Sequence, residues 1–229
     1  MRVLLISDLH SNYEALKAVI ATETYDSVVF LGDAVDYGPQ PAEVLDFLRS
    51  ESDHSLMGNH DYALAFGEDC HCNPSMHHLS EYTRENISKK LLGKEDIEFL
   101  KTMKRRDEFE LDHLKVLAMH ASPYNDLFGY LFSTEAEMVS KDEKLKKYDL
   151  IMVGHTHFPM IYKGRIINPG SAGQPRDGKP EPWYAILETD PFQVTFKRFH
   201  YDNLKTLEKL ASILGRESPE YQDLRKFYS

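Results

Sequence analysis

The residues that could do chemistry in this chain stand directly after short apolar runs. Asp8-Leu9-His10 follows Val3–Ile6, and Gly32-Asp33 follows Ser27–Leu31. Gly58-Asn59-His60-Asp61 follows His54–Met57, His120 follows Lys115–Met119, and Gly154-His155-Thr156-His157 follows Leu150–Val153. A single Asp or His after a strand is ordinarily a turn or cap residue. Its recurrence after five apolar runs points to a shared site. Carboxylate, amide and imidazole donors suit manganese, iron, cobalt, nickel or zinc better than magnesium alone. All of these but His60 and Asp61 (Asp8, His10, Asp33, Asn59, His120, His155 and His157) supply enough donors for two divalent ions if one carboxylate bridges. Asp33 is the natural bridge, because Gly32 lets the backbone come close. Two ions about 3.5–4 Å apart hold a hydroxide between them and clamp a phosphate opposite it. His60 can donate a proton near neutral pH where an alkoxide forms.

Strands must bring these residues together. Val3–Ile6 reads as a strand buried on both faces, as in a parallel sheet. Its carboxyl end is where open α/β sheets place ligands. Ser11 and Glu14 form a capping-box pattern ahead of a helix with Tyr13, Leu16 and Ile20 on one stripe. Pro39 and Pro41 precede a helix that carries Val44, Leu45 and Leu48 inward. The order so far is β-α-β-α-β, the mark of a layered α/β fold. Residues 62–105 are polar and helix-forming, and read as two or three helices making a cap beside the site within one domain, 1–229. Paired strands are expected around 109–111 and 115–119, and an antiparallel region over 160–199. Trp183 and Phe192 there are expected in the core rather than in a dimer seam. A helix over Asn203–Leu214 and a frayed tail complete the pattern. Tyr124, Arg84, His77 and His78 read as surface, and His54, His71, His113 and His200 carry no motif.

The chain's 229 residues suit one domain with a large core. A formal net charge of −10 argues against long nucleic acid as a partner, since the broad basic surface that this requires is missing. No apolar run approaches the roughly 18 residues of a membrane span, and no leader precedes the first strand, so the expected location is cytoplasmic. The only cysteines, Cys70 and Cys72, are too close for a relaxed disulfide and read as part of an exposed loop.

In order, these motifs resemble the signature of the calcineurin-like metallophosphoesterase superfamily, from Val3 to about Gly173. The chain is most similar to the small single-domain bacterial and archaeal branch, which includes phosphodiesterases and diadenosine tetraphosphatase-like relatives. The resemblance implies a four-layer αββα sandwich of two mixed β-sheets flanked by helices. It places Asp8, His10, Asp33 and His157 on one metal, and Asp33, Asn59, His120 and His155 on the other, with manganese favoured. It makes His60 the general acid, with Asp61 holding its ring. Asn168–Gly178 is also family-like, and there Arg176 could fork onto a phosphate oxygen, beside Asn59. The expected activity is hydrolysis of a small phosphodiester, nucleotide-like compounds included. Alternatives are a phosphomonoesterase or protein phosphatase, a diadenosine-polyphosphate hydrolase, and a non-catalytic interaction scaffold on the same fold.

Overall fold

Val3 and Leu5 point one way from β1 (Arg2–Ile6) and Leu4 and Ile6 the other, and separate cores take up the two sets. That alternation is the period-two geometry of a strand. The computed structural model describes all residues, Met1–Ser229. After β1 come α1 (Tyr13–Thr22), β2 (Ser27–Phe30), α2 (Pro41–Glu51) and the short β3 (His54–Ser55). Helices α3 (Asn59–Phe66), α4 (Pro74–Thr83), α5 (Lys89–Leu91) and α6 (Lys94–Thr102) follow, with a π-helical stretch, Arg84–Ser88, between α4 and α5. Next are β4 (Arg106–Leu111), β5 (Leu114–Met119), α7 (Ser133–Lys141) and β6 (Leu150–Met152). The chain ends with β7 (Pro159–Tyr162), β8 (Ile166–Pro169), β9 (Trp183–Thr189), β10 (Phe192–Arg198), α8 (Asn203–Leu214) and α9 (Pro219–Leu224).

Two mixed five-stranded sheets result, ordered β10-β9-β1-β2-β3 and β4-β5-β6-β8-β7. Val3, Leu5, Val29 and Leu31 of the first sheet meet Val116, Ala118, Met152 and Ile167 of the second. The outer face of the first sheet, with Leu4, Ile6 and Phe30, packs on Leu16 and Val19 of α1 and Val44, Leu45 and Leu48 of α2. The outer face of the second, with Leu117, Met119 and Ile151, packs on Ala136 and Val139 of α7. Layered αββα is therefore the arrangement that buries both faces of both sheets. β1, β2 and β3 run parallel, as do β5, β6 and β8. Their carboxyl ends form the edge to which the polar motifs belong.

Local departures from the expected elements have plain causes. Asn12, not Ser11, caps α1, its side chain accepting the Ala15 N–H. Ser11 lies at φ 55° with its hydroxyl unpartnered, and Glu14 faces Lys17 rather than the cap. Residues 62–105 break into more pieces than expected, because Gly67 ends α3 in the left-handed region and Pro74 starts α4. The region after β6 is not wholly antiparallel: β8 pairs parallel with β6, and β9 and β10 cross to the other sheet. The tail is ordered against the body, with Tyr221, Leu224 and Tyr228 buried around Tyr37. Phe192 is exposed, and Trp183 is half-buried under the Arg198 guanidinium.

Candidate metal centre

The sheet edge gathers Asp8, His10, Asp33, Asn59, His120, His155 and His157 into one buried cluster, none of them more than 5% exposed. Three histidines are aimed in the same way. Nδ1 of His10 lies 3.0 Å from the Val35 carbonyl, Nδ1 of His120 2.7 Å from that of Leu31, and Nδ1 of His157 2.5 Å from that of Gln174. A carbonyl only accepts, so each Nδ1 carries a proton and each Nε2 is turned inward. His10 Nε2 is 3.3 Å from His157 Nε2, and His120 Nε2 is 3.2 Å from Asn59 Oδ1; burial lowers His120, but Asp33 outweighs it and raises the imidazole to about 9. Nδ1 of His155 is 3.2 Å from His120 Nε2. Two acceptor nitrogens face to face, as at His10 and His157, are what a cation resolves.

Asp8 and Asp33 complete the arrangement. Ser7 Oγ donates to Asp8 Oδ2 at 2.6 Å and the His155 N–H donates to it at 3.1 Å. Asp8 Oδ1 is buried with no hydrogen-bond partner, 3.3 Å from His157 Nε2. A buried carboxylate oxygen left unsatisfied is costly unless a charge meets it. Asp33 Oδ1 accepts the His60 N–H at 2.9 Å, while Oδ2 stands 3.2 Å from His120 Nε2 and 3.8 Å from His10 Nε2. It thus links the two donor clusters: it groups with His120 and His155 on one side, and on the other with His10, itself a member of Asp8–His10–His157. The approach is possible because residue 58 is glycine: a Cβ there would lie 2.0 Å from Asp33 Oδ1. Asp8, His10, Asp33, His155 and His157 all have φ between 44° and 65°. Each adopts a left-handed conformation that costs an L-residue roughly 1 kcal/mol or more.

Burial shapes the charges. It holds His10 and His157 well below the ordinary histidine range and His155 down to about 3, so all three are neutral donors at pH 7. Burial pushes Asp8 up to about 6. Burial also acts to raise Asp33, but the neighbouring His120 and His60 outweigh it and hold the carboxyl well below the usual range.

His60 sits beside this cluster, its ring 5.0 Å from that of His10. Its partner is not Asp61. His60 Nδ1 lies 2.9 Å from Asp36 Oδ2. Asp61 instead accepts backbone N–H groups from Asp33, Ala34, Val35 and Gly58, fixing the turn that carries Asp33. Burial and Asp33 push Asp61 up to about 7, against donors that favour its charged form. Burial lowers His60, but Asp33 and Asp36 outweigh it and raise the imidazole above its ordinary value.

Other side chains meet expectation only in part. Arg84 is buried, its Nε and Nη2 donating to Asp36 Oδ2 at 3.1 and 2.7 Å, and Nη2 also to Ser80 Oγ at 3.0 Å. Ser88 Oγ donates to Asp36 Oδ1 at 3.2 Å. Cys70 is fully buried rather than in an exposed loop. Its carbonyl accepts from Asn59 Nδ2 at 2.8 Å, which turns Asn59 Oδ1 towards His120 and suits Asn59 to a cation better than to substrate. Arg176 rests on Gln174 Oε1 through Nε and Nη2, at 3.3 and 2.9 Å. Tyr124 and His78 are exposed and His77 is half-buried on Asp69.

Comparison with known proteins agrees with this geometry. Residues 1–191 match the model of the calcineurin-like phosphoesterase superfamily domain, and the chain belongs to that family of metal-dependent phosphoester hydrolases. The uncharacterized protein MJ0912 of Methanocaldococcus jannaschii is 32% identical, with 98% of this chain and 97% of that protein covered. The crystal structure of a metallophosphoesterase from Sphaerobacter thermophilus is 32% identical, with a TM-score of 0.76 and 93% and 94% of the two chains covered. A hypothetical protein from Pyrococcus horikoshii OT3, PH1004, shares the fold at 19% identity, with a TM-score of 0.80 over 100% and 98% of the two chains.

Proposed function

We propose that this chain is a dinuclear metal-dependent phosphodiesterase with His60 as its general acid. The observation that carries the reading is the convergence of buried carboxylate, amide and imidazole donors around Asp33, described above. Asp8, His10, Asp33 and His157 would hold one divalent cation, and Asp33, Asn59, His120 and His155 the other. When bound, the cations supply an acidified water as nucleophile and positive charge for the phosphoryl oxygens. The protein's own part is to place the phosphate and to move one proton. Asp36 takes up the Nδ1–H of His60, so the proton available to a departing alkoxide is on Nε2. After transfer the imidazole is neutral and still donates to Asp36.

Charge supports diesters over monoesters. A monoester dianion favours extra cationic residues around the phosphate, but Arg84 is engaged by Asp36, which leaves Arg176. Next to His155, the Tyr130 ring lies 4.4 Å away and stacks parallel to Phe132, which contacts Phe158. These half-exposed rings could receive a planar leaving group such as a nucleobase. The test compares a chromogenic phosphodiester with the matching monoester in the presence of manganese. The diester is expected to turn over faster, and His60→Ala is expected to keep its metals while losing roughly a hundredfold or more in turnover. Preference for the monoester overturns the diester assignment, and unchanged turnover in the variant removes His60 from the reaction.

A further inference from the structure

We propose that Cys70 and Cys72 are a redox-active dithiol whose closure to a disulfide weakens the metal centre. The Sγ atoms are 2.8 Å apart. If the residue between two such cysteines were extended, their Cα atoms would stand about 7 Å apart, at the limit a bridge tolerates. His71 removes that obstacle. Its φ of 48° curls the chain, its N–H donates to Asp69 Oδ1 at 2.7 Å, and its ring packs edge-on against Phe128 at 4.9 Å. The bend is therefore built into the reduced protein. Cys70 is fully buried while Cys72 is partly exposed, so Cys72 is the sulfur an oxidant reaches first.

The oxidant required is a hydroperoxide. One sulfur of the pair, as its thiolate, attacks the O–O bond, takes the terminal hydroxyl to become a sulfenic acid, and releases an alcohol, or water from hydrogen peroxide. The other sulfur then forms the S–S bond and expels that oxygen as water. Two thiols give up two electrons and two protons, and the peroxide takes up both.

Closure reaches the centre by two short routes. The Cys70 carbonyl is the group that orients Asn59, and Cys70 Sγ lies 3.4 Å from Ser80 Oγ. Ser80 Oγ in turn contacts His60 Nδ1 at 3.2 Å and Arg84 Nη2 at 3.0 Å. Drawing the sulfurs from 2.8 Å to the bonded distance of about 2.05 Å moves Cys70 within this packed network. Loss of an outer hydrogen bond to a ligand lowers metal affinity by about 10–100-fold. That consequence rests on the proposed metal centre, whereas the thiol chemistry does not.

The test treats the manganese-loaded full chain with a few equivalents of hydrogen peroxide. Intact mass and alkylation count free thiols, and titration gives the manganese affinity before and after. Expected are loss of two hydrogens and both alkylation sites, and at least about tenfold weaker manganese binding and diester hydrolysis. A dithiol reductant is expected to restore all three. Cys72→Ser is expected to keep the untreated rate and lose the reversible response, and Cys70→Ser serves as the second variant. Persistence of both thiols overturns the proposal, and so does a disulfide that leaves manganese affinity unchanged. Protein that closes the disulfide and loses manganese, yet hydrolyses no ester even before treatment, refutes the catalytic reading alone.

Discussion

Replacing Asp36 with asparagine separates the charge of this residue from its shape, and the structure gives the size of the effect. One carboxylate oxygen accepts from His60 Nδ1 and from two Arg84 nitrogens, and the other accepts from Ser88. All of this is buried, with Asp36 at 0% exposure. The amide fits the space, but leaves the Arg84 guanidinium without a counter-charge. Breaking a buried pair from one side costs about 3–5 kcal/mol. For a chain of this size that lowers the unfolding midpoint by roughly 10 °C. The same change removes the strong acceptor that fixes the His60 ring, so proton donation suffers. Loss of a general acid's contribution is worth about 10²–10⁴ in rate, and turnover is expected to fall by at least a hundredfold. The assay compares two diesters, one with an alkoxide and one with a nitrophenolate leaving group, at saturating manganese. The alkoxide substrate is expected to lose far more, because nitrophenolate departs without a proton. Equal losses on both substrates, or wild-type turnover of the alkoxide, refute the orienting role. A melting curve run alongside reveals whether a loss reflects unfolding instead.

Three further outcomes follow from the geometry. Gly58→Ala places a methyl 2.0 Å from Asp33 Oδ1, so elemental analysis of the purified variant is expected to find less than half the wild-type metal content. Chelation is expected to lower the melting temperature as well as abolish hydrolysis, because a cation at a hundred times its dissociation constant stabilises by about 2.7 kcal/mol; calorimetry with and without chelator checks it. Glu23 accepts from Lys197 at 2.5 Å, Tyr184 at 2.5 Å and Arg2 at 2.9 Å. Burial raises it, but these partners outweigh burial and hold it below the ordinary glutamate value. Its contribution is therefore complete above about pH 4.3 and lost as pH falls through the depressed value. Glu23→Gln is expected to cost about 1.5–3 kcal/mol at pH 7 and converge with the parent in acid, as denaturant titration across pH measures.

Much of this centre is legible in the sequence, because each donor follows an apolar strand and parallel strands share one carboxyl edge. Asp8, His10, Asp33, Asn59, His120, His155 and His157 announce themselves in that way. Asp36 and Arg84 do not. They are 48 positions apart, and nothing local distinguishes a buried arginine from a solvated one before the π-helical stretch turns it inward. The pairing of His60 with Asp36 rather than with adjacent Asp61 is a tertiary fact, set by how the Asp33–Tyr37 turn folds over α3. Asp61 lies closer in sequence but is occupied by N–H groups of that turn. Asn12 displaces Ser11 as a cap for a similar reason: Ser11 is held at φ 55°, its N–H on the Ala34 carbonyl. The burial of Cys70 is not legible either, because covering a short loop with α4 leaves no mark on composition.

The left-handed backbone at Asp8, His10, Asp33, His155 and His157 has a consequence for the molecule as a whole. At each of these positions the main chain asks for glycine, while chemistry asks for a donor. Function and thermal robustness therefore pull in opposite directions along the same sheet edge. A relative that no longer needed cations could relax each turn by roughly 1 kcal/mol or more simply by discarding its side chain. Hardening this protein by substitution is best directed elsewhere, since the most tempting backbone repairs fall on the residues proposed to hold its ions.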